Sequence, residues 1–274
     1  MTTDSTVDKI QVGLVQINNS FSGQNYLPLS VGMLQAYAQK HLEHPQRYRF
    51  SLPLYRKTTV DEAVRQLEGS RVAFFSTYVW NFRISLEIAK RLKQQQPDTL
   101  VVFGGPHVPD RDEGFLVRHP FIDLVCHGEG EQSAAAILNN CLSKNWDRVP
   151  GVSYLGEDGG LIHNAKAPRM TDLANYPSPY LEGVFDPLIE ANPEETGIAL
   201  WETNRGCPFS CTFCDWGSAV QSKVYSFEME RLYGEVEWFA DRAIEFVFCC
   251  DANFGILPRD IDIANYVAEI KRKA

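Results

Sequence analysis

Five short apolar runs, at 10–17, 48–54, 71–76, 100–103 and 122–126, alternate with stretches whose apolar residues recur at helical spacing. Leu29, Met33, Ala36 and Tyr37 share one helical face. So do Phe82, Leu86, Ala89 and Leu92, and again Ala134, Ile137, Leu138 and Cys141. Thr59, followed three residues later by Glu62, has the spacing of a capping box ahead of a helix carrying Ala63, Val64 and Leu67. Strands separated by helices pair in parallel, because each connection crosses back over the sheet, and the helices then cover both faces. The expected fold is α/β, with a five-stranded, doubly wound, Rossmann-like sheet in residues 1–145.

Ligands of such sheets bind beyond the carboxyl ends of the strands. Here those ends carry Asn18, Asn19 and Ser20; Ser76, Thr77 and Tyr78; Gly104, Gly105, Pro106 and His107; and Gly128, Glu129, Gly130 and Glu131. Paired glycines let a bulky ligand approach the backbone, but tight turns would require some of them without any ligand. The run from Gly128 to Ser133 comes near a dinucleotide fingerprint. It follows the fifth strand, however, and carries carboxylates where a pyrophosphate would sit, so acidic capping of a helix start is the better reading.

Residues 152–155 and 161–163 read as a hairpin around Glu157, Asp158, Gly159 and Gly160. Five of the fifteen prolines fall between 165 and 193, which marks an extended linker and places the connecting segment at 146–196. The strand–helix pattern then resumes. A strand at 198–202 is followed by a helix at 226–240 with Leu232, Val236 and Phe239 inward. An apolar strand at 244–250 precedes a helix from 258 that brings Ile261, Ala264, Val267 and Ala268 together. Residues 197–274 thus read as two strand–helix units of a partial TIM-like barrel.

Between the first strand and helix of that region lies the run RGCPFSCTFCDWG at 205–217. Cys207, Cys211 and Cys214 can hold a cubane iron–sulfur cluster and leave one iron open to a small ligand, whereas electron-transfer clusters close all four positions with thiolates. The next cysteine, Cys249, comes after a further 34 residues. A structural zinc site would need a fourth ligand, and only a distant residue such as Cys249, Cys250 or a histidine could provide it. Cys126 and Cys141 read as core residues.

The cysteine spacing, with the aromatic Phe213 just before the third thiol, resembles the radical S-adenosylmethionine (SAM) family. The resemblance implies a 4Fe-4S cluster on the three cysteines, with SAM chelating the open iron and Phe213 near its adenine. Asp251, Asn253 and Phe254 resemble the aspartate-rich segment that many cobalamin-dependent members place near the SAM amino group, which implies that Asp251 and Asn253 position SAM; a generic acidic turn has the same composition. Most of 10–180 resembles the cobalamin-binding domain of this subclass, through LPLSVGM at 27–33, YVWN at 78–81, FGGPH at 103–107 and HGEGE at 127–131. The family pattern pairs a serine after the third strand with a double glycine after the fourth, and 27 residues separate Ser76 from Gly104. Cobalamin contacts are implied for Ser76, Tyr78, Trp80, Gly104, Gly105 and Gly128. The Asp-x-His-x-x-Gly element that supplies a cobalt ligand elsewhere is missing, since none of the six histidines has an aspartate two positions earlier. This implies that Tyr78, Trp80 or their neighbours lie below cobalt; the competing reading makes Trp80 a core aromatic.

The family resemblance implies methylation of an unactivated carbon. One SAM methylates reduced cobalamin, and a second yields a 5′-deoxyadenosyl radical that removes a substrate hydrogen. Radical cyclisation or rearrangement without methyl transfer uses the same two domains, and a noncatalytic cobalamin-binding or redox-sensing module is the alternative of another class. Expected partners are a small-molecule or peptide substrate and an electron donor such as flavodoxin or ferredoxin. A net charge of -9 argues against bulk binding to nucleic acid. Seven cysteines, an odd number with three clustered, fit a reducing compartment. The polar, acidic first residues lack the features of a signal peptide, and no apolar run approaches a membrane span, so a cytoplasmic location is expected. The sequence stops within the second barrel helix, so the chain is expected to be the first portion of a longer enzyme, inactive on substrate by itself.

Overall fold

The computed structural model describes residues 9–110, 113–195, 197–214 and 223–273. In chain order its elements are β1 (Ile10–Val15), β2 (Ser20–Phe21), β3 (Gln24–Tyr26), α1 (Leu29–His41), β4 (Tyr48–Phe50), α2 (Val60–Gln66), β5 (Val72–Ser76), α3 (Phe82–Gln95), β6 (Leu100–Gly104), α4 (Glu113–Arg118), β7 (Leu124–Cys126) and α5 (Gly130–Asn140). There follow β8 (Val152–Leu155), β9 (Leu161–His163), α6 (Asp186–Glu190), β10 (Gly197–Trp201), β11 (Asn204–Arg205), β12 (Tyr225–Ser226), α7 (Met229–Asp241), β13 (Phe246–Cys249) and α8 (Arg259–Lys273). Two compact units result. Met1–Ile17 and Tyr37–Ala167 form the first, and Asn18–Ala36 with Pro168–Ala274 form the second.

The first unit is built on a seven-stranded sheet of order β4-β1-β5-β6-β7-β8-β9. Its first five strands are parallel, as the alternating pattern predicts. All five residues of β5 are buried, as befits a central strand covered on both faces. Phe75, Ile88, Leu92, Val101, Phe103 and Leu116 belong to one buried cluster, in which the Phe75 and Phe103 rings stack at 4.9 Å. The capping box of α2 forms as expected: Glu62 N–H donates to Thr59 Oγ1 at 3.3 Å, and Thr59 N–H donates to Glu62 Oε2 at 3.0 Å. Donation to the Glu62 carboxylate from Thr59 Oγ1–H at 2.7 Å, from Thr59 N–H and from Thr58 Oγ1–H at 2.9 Å holds its pKa down at about 2.

Two features differ from the sequence reading. The expected hairpin of β8 and β9 forms, but it extends the sheet: β8 pairs antiparallel with β7, setting Val125 opposite Ser153, and so covers an edge that would otherwise be open. Helix α4 has no counterpart in the sequence reading, because six residues are too few to show a helical period, although it buries Phe115 and Leu116.

The second unit holds a sheet of order β13-β10-β3-β2. Strands β10 and β13 are parallel and each is followed by its helix, so two strand–helix units stand as expected. The other edge of β10 is taken by β3, also parallel, and β3 forms a hairpin with β2. Ser22 and Gly23 make its two-residue turn, both at positive φ (50° and 80°), the geometry that matches strand twist in tight hairpins. Leu232, Val236 and Phe239 of α7 are buried as expected. The inward face of α8 is rotated from the expected one: Ile263 is buried, while Ile261 is 68% exposed. Between this sheet and the helices lies a cavity of about 610 Å³ lined by Trp201, Val236, Phe239, Val247, Ile263 and Val267. Among the described residues no helix is long and apolar enough to cross a membrane.

Candidate functional site

In the first unit the chain passes from β1 to an edge strand on one side and later to β5 on the other, which makes the carboxyl ends of β1 and β5 the switch point. Asn81 organises that point. Its buried side-chain amide donates to Ile17 O and Ser76 O, both at 3.0 Å, and its Oδ1 accepts from Tyr78 N–H at 2.8 Å. The 78–80 loop is thereby fixed at its first residue. Tyr78 and Trp80 stack at 4.6 Å with ring planes 11° apart, and Trp80 is 50% exposed. The reading of Trp80 as a core aromatic therefore fails: its ring is presented at the surface beside the strand ends.

Ser76 and Gly104 are register partners at the ends of β5 and β6. The Thr77 N–H and Oγ1–H both donate to Gly104 O at 2.8 Å, and His107 N–H donates to Thr77 O at 3.2 Å. The two glycines differ in their requirements. A Cβ on Gly105 would lie 2.6 Å from Thr77 O, at a φ of +95°, so this position needs glycine for the turn itself. A Cβ on Gly104 would meet Cys126 Cβ at 3.4 Å, an ordinary contact. Gly128, with φ +77°, turns the chain after β7.

Beside Gly128 runs a polar chain that the sequence reading did not find. His127 Nε2 lies 2.8 Å from Ser153 Oγ, which lies 2.7 Å from His163 Nδ1. Asp110 faces His127 Nδ1 at 3.5 Å and pairs with Lys166 Nζ at 2.7 Å. A proton on Nδ1, facing the carboxylate, leaves Nε2 to accept from Ser153 O–H. Burial, with smaller contributions from His163 and Lys166 and against that of Asp110, pushes the His127 imidazole down to about 4. The unfolded chain, with histidine near its ordinary 6.5, therefore binds the proton first. Stability of the first unit should fall as pH drops from about 6.5 to about 4. Urea midpoints across that range should show a slope that His127→Gln flattens; equal slopes in both proteins would remove His127 as its source.

In the second unit, β10 leads through Glu202 and Thr203 into β11, and the antiparallel pair β11–β12 closes the base of the cysteine loop. Residues 215–222 of that loop lie outside the described ones. Gly206 turns the chain at φ +118°. Cys207 is buried and Cys211 and Cys214 are exposed, none of the three in a disulfide, while Phe213 is 89% exposed. Among the described residues no three metal-ligating side chains converge on a point where one ion could sit. A cluster takes its thiolates on separate irons, and three thiols carried on one loop fit that donor requirement.

Asp251 and Asn253 reach this loop from the end of β13. The Asp251 carboxylate accepts from Thr203 N–H at 2.7 Å, from Asn204 N–H at 3.2 Å, from Asn204 Nδ2–H at 2.8 Å and from the Thr203 hydroxyl. Burial raises its pKa, and the bonds from Thr203 and Asn204 oppose the rise. Arg259, at the start of α8, donates to Thr203 O at 2.6 Å and to Phe227 O. The turn preceding Cys207 is thus held from both sides. Asn253 Nδ2 lies 3.1 Å from Cys207 Sγ. Thr203, Asn204 and Arg259 were not legible as site residues, because their partners are distant in sequence.

Residues 12–138 match the family model of the B12 binding domain. The chain is 45% identical over 251 residues to the cobalamin-dependent radical SAM methyltransferase TokK of Streptomyces tokunonensis, and 43% identical over 250 residues to the 2-(S-pantetheinyl)-carbapenam-3-carboxylate methyltransferase of Streptantibioticus cattleyicolor. Each alignment covers 90% of this chain and 37% of the relative, so the chain spans little more than a third of their length. Among solved structures, the cobalamin-dependent S-adenosylmethionine radical enzyme OxsB with aqua-cobalamin and S-adenosylmethionine bound matches with a TM-score of 0.74. That match, at 23% identity, covers 97% of this chain and 37% of the other, and it supports the fold. The chain thus carries a match to the B12 binding domain and, along 90% of its length, is similar to proteins named as methyltransferases, one of them cobalamin-dependent and radical SAM.

Proposed function

We propose that this chain is the cofactor-binding part of a methyltransferase that replaces a hydrogen on an unactivated carbon of a small molecule with a methyl group from SAM. The observation that carries the reading is 45% identity to a named cobalamin-dependent radical SAM methyltransferase across 90% of the chain. The second relative's name points to the substrate class, a carbapenam carboxylate carrying a pantetheinyl thioether. When bound, the 4Fe-4S cluster and cobalamin supply one-electron delivery and methyl carriage; the chain's task is to place them and keep water out.

Cys207, Cys211 and Cys214 hold the cluster in this proposal, and Phe213 covers the adenine of SAM. Asp251 acts chiefly on the loop, through Thr203 and Asn204. In the first unit Ser76, Gly104 and Gly128 would offer backbone and hydroxyl contacts to cobalamin, Gly105 makes the turn that presents Gly104, and the exposed Tyr78–Trp80 stack would pack against the bound cofactor. The working location is a reducing cytoplasm, with a flavodoxin or ferredoxin as electron donor. The test is to inactivate the gene in its source organism and compare extracts by mass spectrometry. A metabolite lighter than its normal counterpart by one methylene should accumulate. Accumulation of a precursor with the same carbon count as the normal product would favour cyclisation or rearrangement instead.

A further inference from the structure

Asn253 stands in the segment after β13, and its side-chain N–H points at the sulfur of Cys207 at 3.1 Å. Cys207 is the buried member of the three cysteines, so water competes least for its sulfur. The approach is fixed from both ends. Two residues before Asn253, Asp251 is bonded to Thr203 and Asn204, and these lie four and three residues before Cys207. We propose that Asn253 is a positioning residue for the cluster, donating an N–H···S hydrogen bond to the Cys207 thiolate and thereby setting the reduction potential of the 4Fe-4S centre. This rests on the proposed function above, and it gives Asn253 a task on the metal centre that differs from binding SAM.

The direction follows from charge. A thiolate can only accept, so the amide presents its N–H to it. Reduction adds one negative charge to the cluster and its sulfurs, so a donor on a ligand sulfur stabilises the reduced form more than the oxidised one and raises the potential. Removing the donor should make the cluster harder to reduce by roughly tenfold in the equilibrium constant, which for one electron corresponds to about 59 mV.

The experiment compares the 274-residue chain with Asn253→Leu, which keeps similar bulk without a donor, and Asn253→Gln, which keeps an amide N–H. Each protein is reconstituted anaerobically and titrated with dithionite, and the reduced cluster is followed by paramagnetic resonance. The expected result is a more negative potential in Asn253→Leu, with Asn253→Gln recovering more than half of the shift. Retention of the cluster in Asn253→Gln but not in Asn253→Leu would also support the donor. An unchanged potential in Asn253→Leu would overturn the inference. So would loss of the cluster in both variants, which would leave Asn253 as a packing residue. A wild-type chain that takes up no cluster would instead defeat the underlying reading, and so distinguishes the two failures.

Discussion

Glu235→Ala should destabilise the second unit by about 3–5 kcal/mol, the range for removing one partner of a buried ion pair. Glu235 is 1% exposed and accepts from Ser178 Oγ–H at 2.5 Å, Trp201 Nε1–H at 2.7 Å and Arg231 Nε–H at 2.9 Å. Its loss strands three donors at once and opens a cavity among the apolar side chains of α7. Arg231 retains Tyr176 O at 2.6 Å and its place 3.9 Å over the Phe227 ring, so some of its cost is relieved. Glu235→Gln keeps the shape but turns an N–H toward one of the donors, so its loss should be smaller. Urea unfolding followed by tryptophan fluorescence measures both; a loss below about 1 kcal/mol for Glu235→Ala would show that the network is not holding this unit together.

Gly105→Ala should be the most damaging single change at the strand ends of the first unit. A non-glycine residue at such a φ costs roughly 1–3 kcal/mol in backbone strain. The added Cβ would also press on the Thr77 backbone, which cannot yield easily because its N–H and C=O are both bonded. Gly104→Ala meets only the ordinary contact with Cys126 and should leave thermal stability nearly unchanged. The pair separates turn chemistry from ligand access. If Gly104 gives cobalamin its close approach, Gly104→Ala should bind cobalamin at least tenfold more weakly while melting like the wild type. Equal binding would restrict the glycine requirement to the turn.

Much of this arrangement is written locally in the sequence. Each strand of the parallel sheet is an apolar run, Thr59 and Glu62 announce the start of α2, and the spacing of Leu232, Val236 and Phe239 shows which side of α7 packs. The pairing of β3 with β10 was not legible, because strands of two and three residues have no period to detect and their partner lies far along the chain. The Ser22–Gly23 turn is the one local signal that could have revealed that hairpin. The cysteines were legible as a motif, since their spacing is itself local. What braces them was not, because Asp251 and Thr203 are 48 residues apart and Asn253 and Cys207 46 apart. Polar side chains whose partners are set by tertiary packing carry no periodic mark. Asn81 is of the same kind: the reading noted its loop and not that its amide joins the ends of β1 and β5.

If three thiols on one loop of this chain hold a cluster with an open iron, anaerobic reconstitution should give iron and sulfide for close to one 4Fe-4S cluster per chain. Replacing Cys207, Cys211 or Cys214 with alanine should abolish it, and replacing Cys249 or Cys250 should leave it unchanged. Iron and sulfide that survive Cys211→Ala but disappear in Cys249→Ala would contradict it.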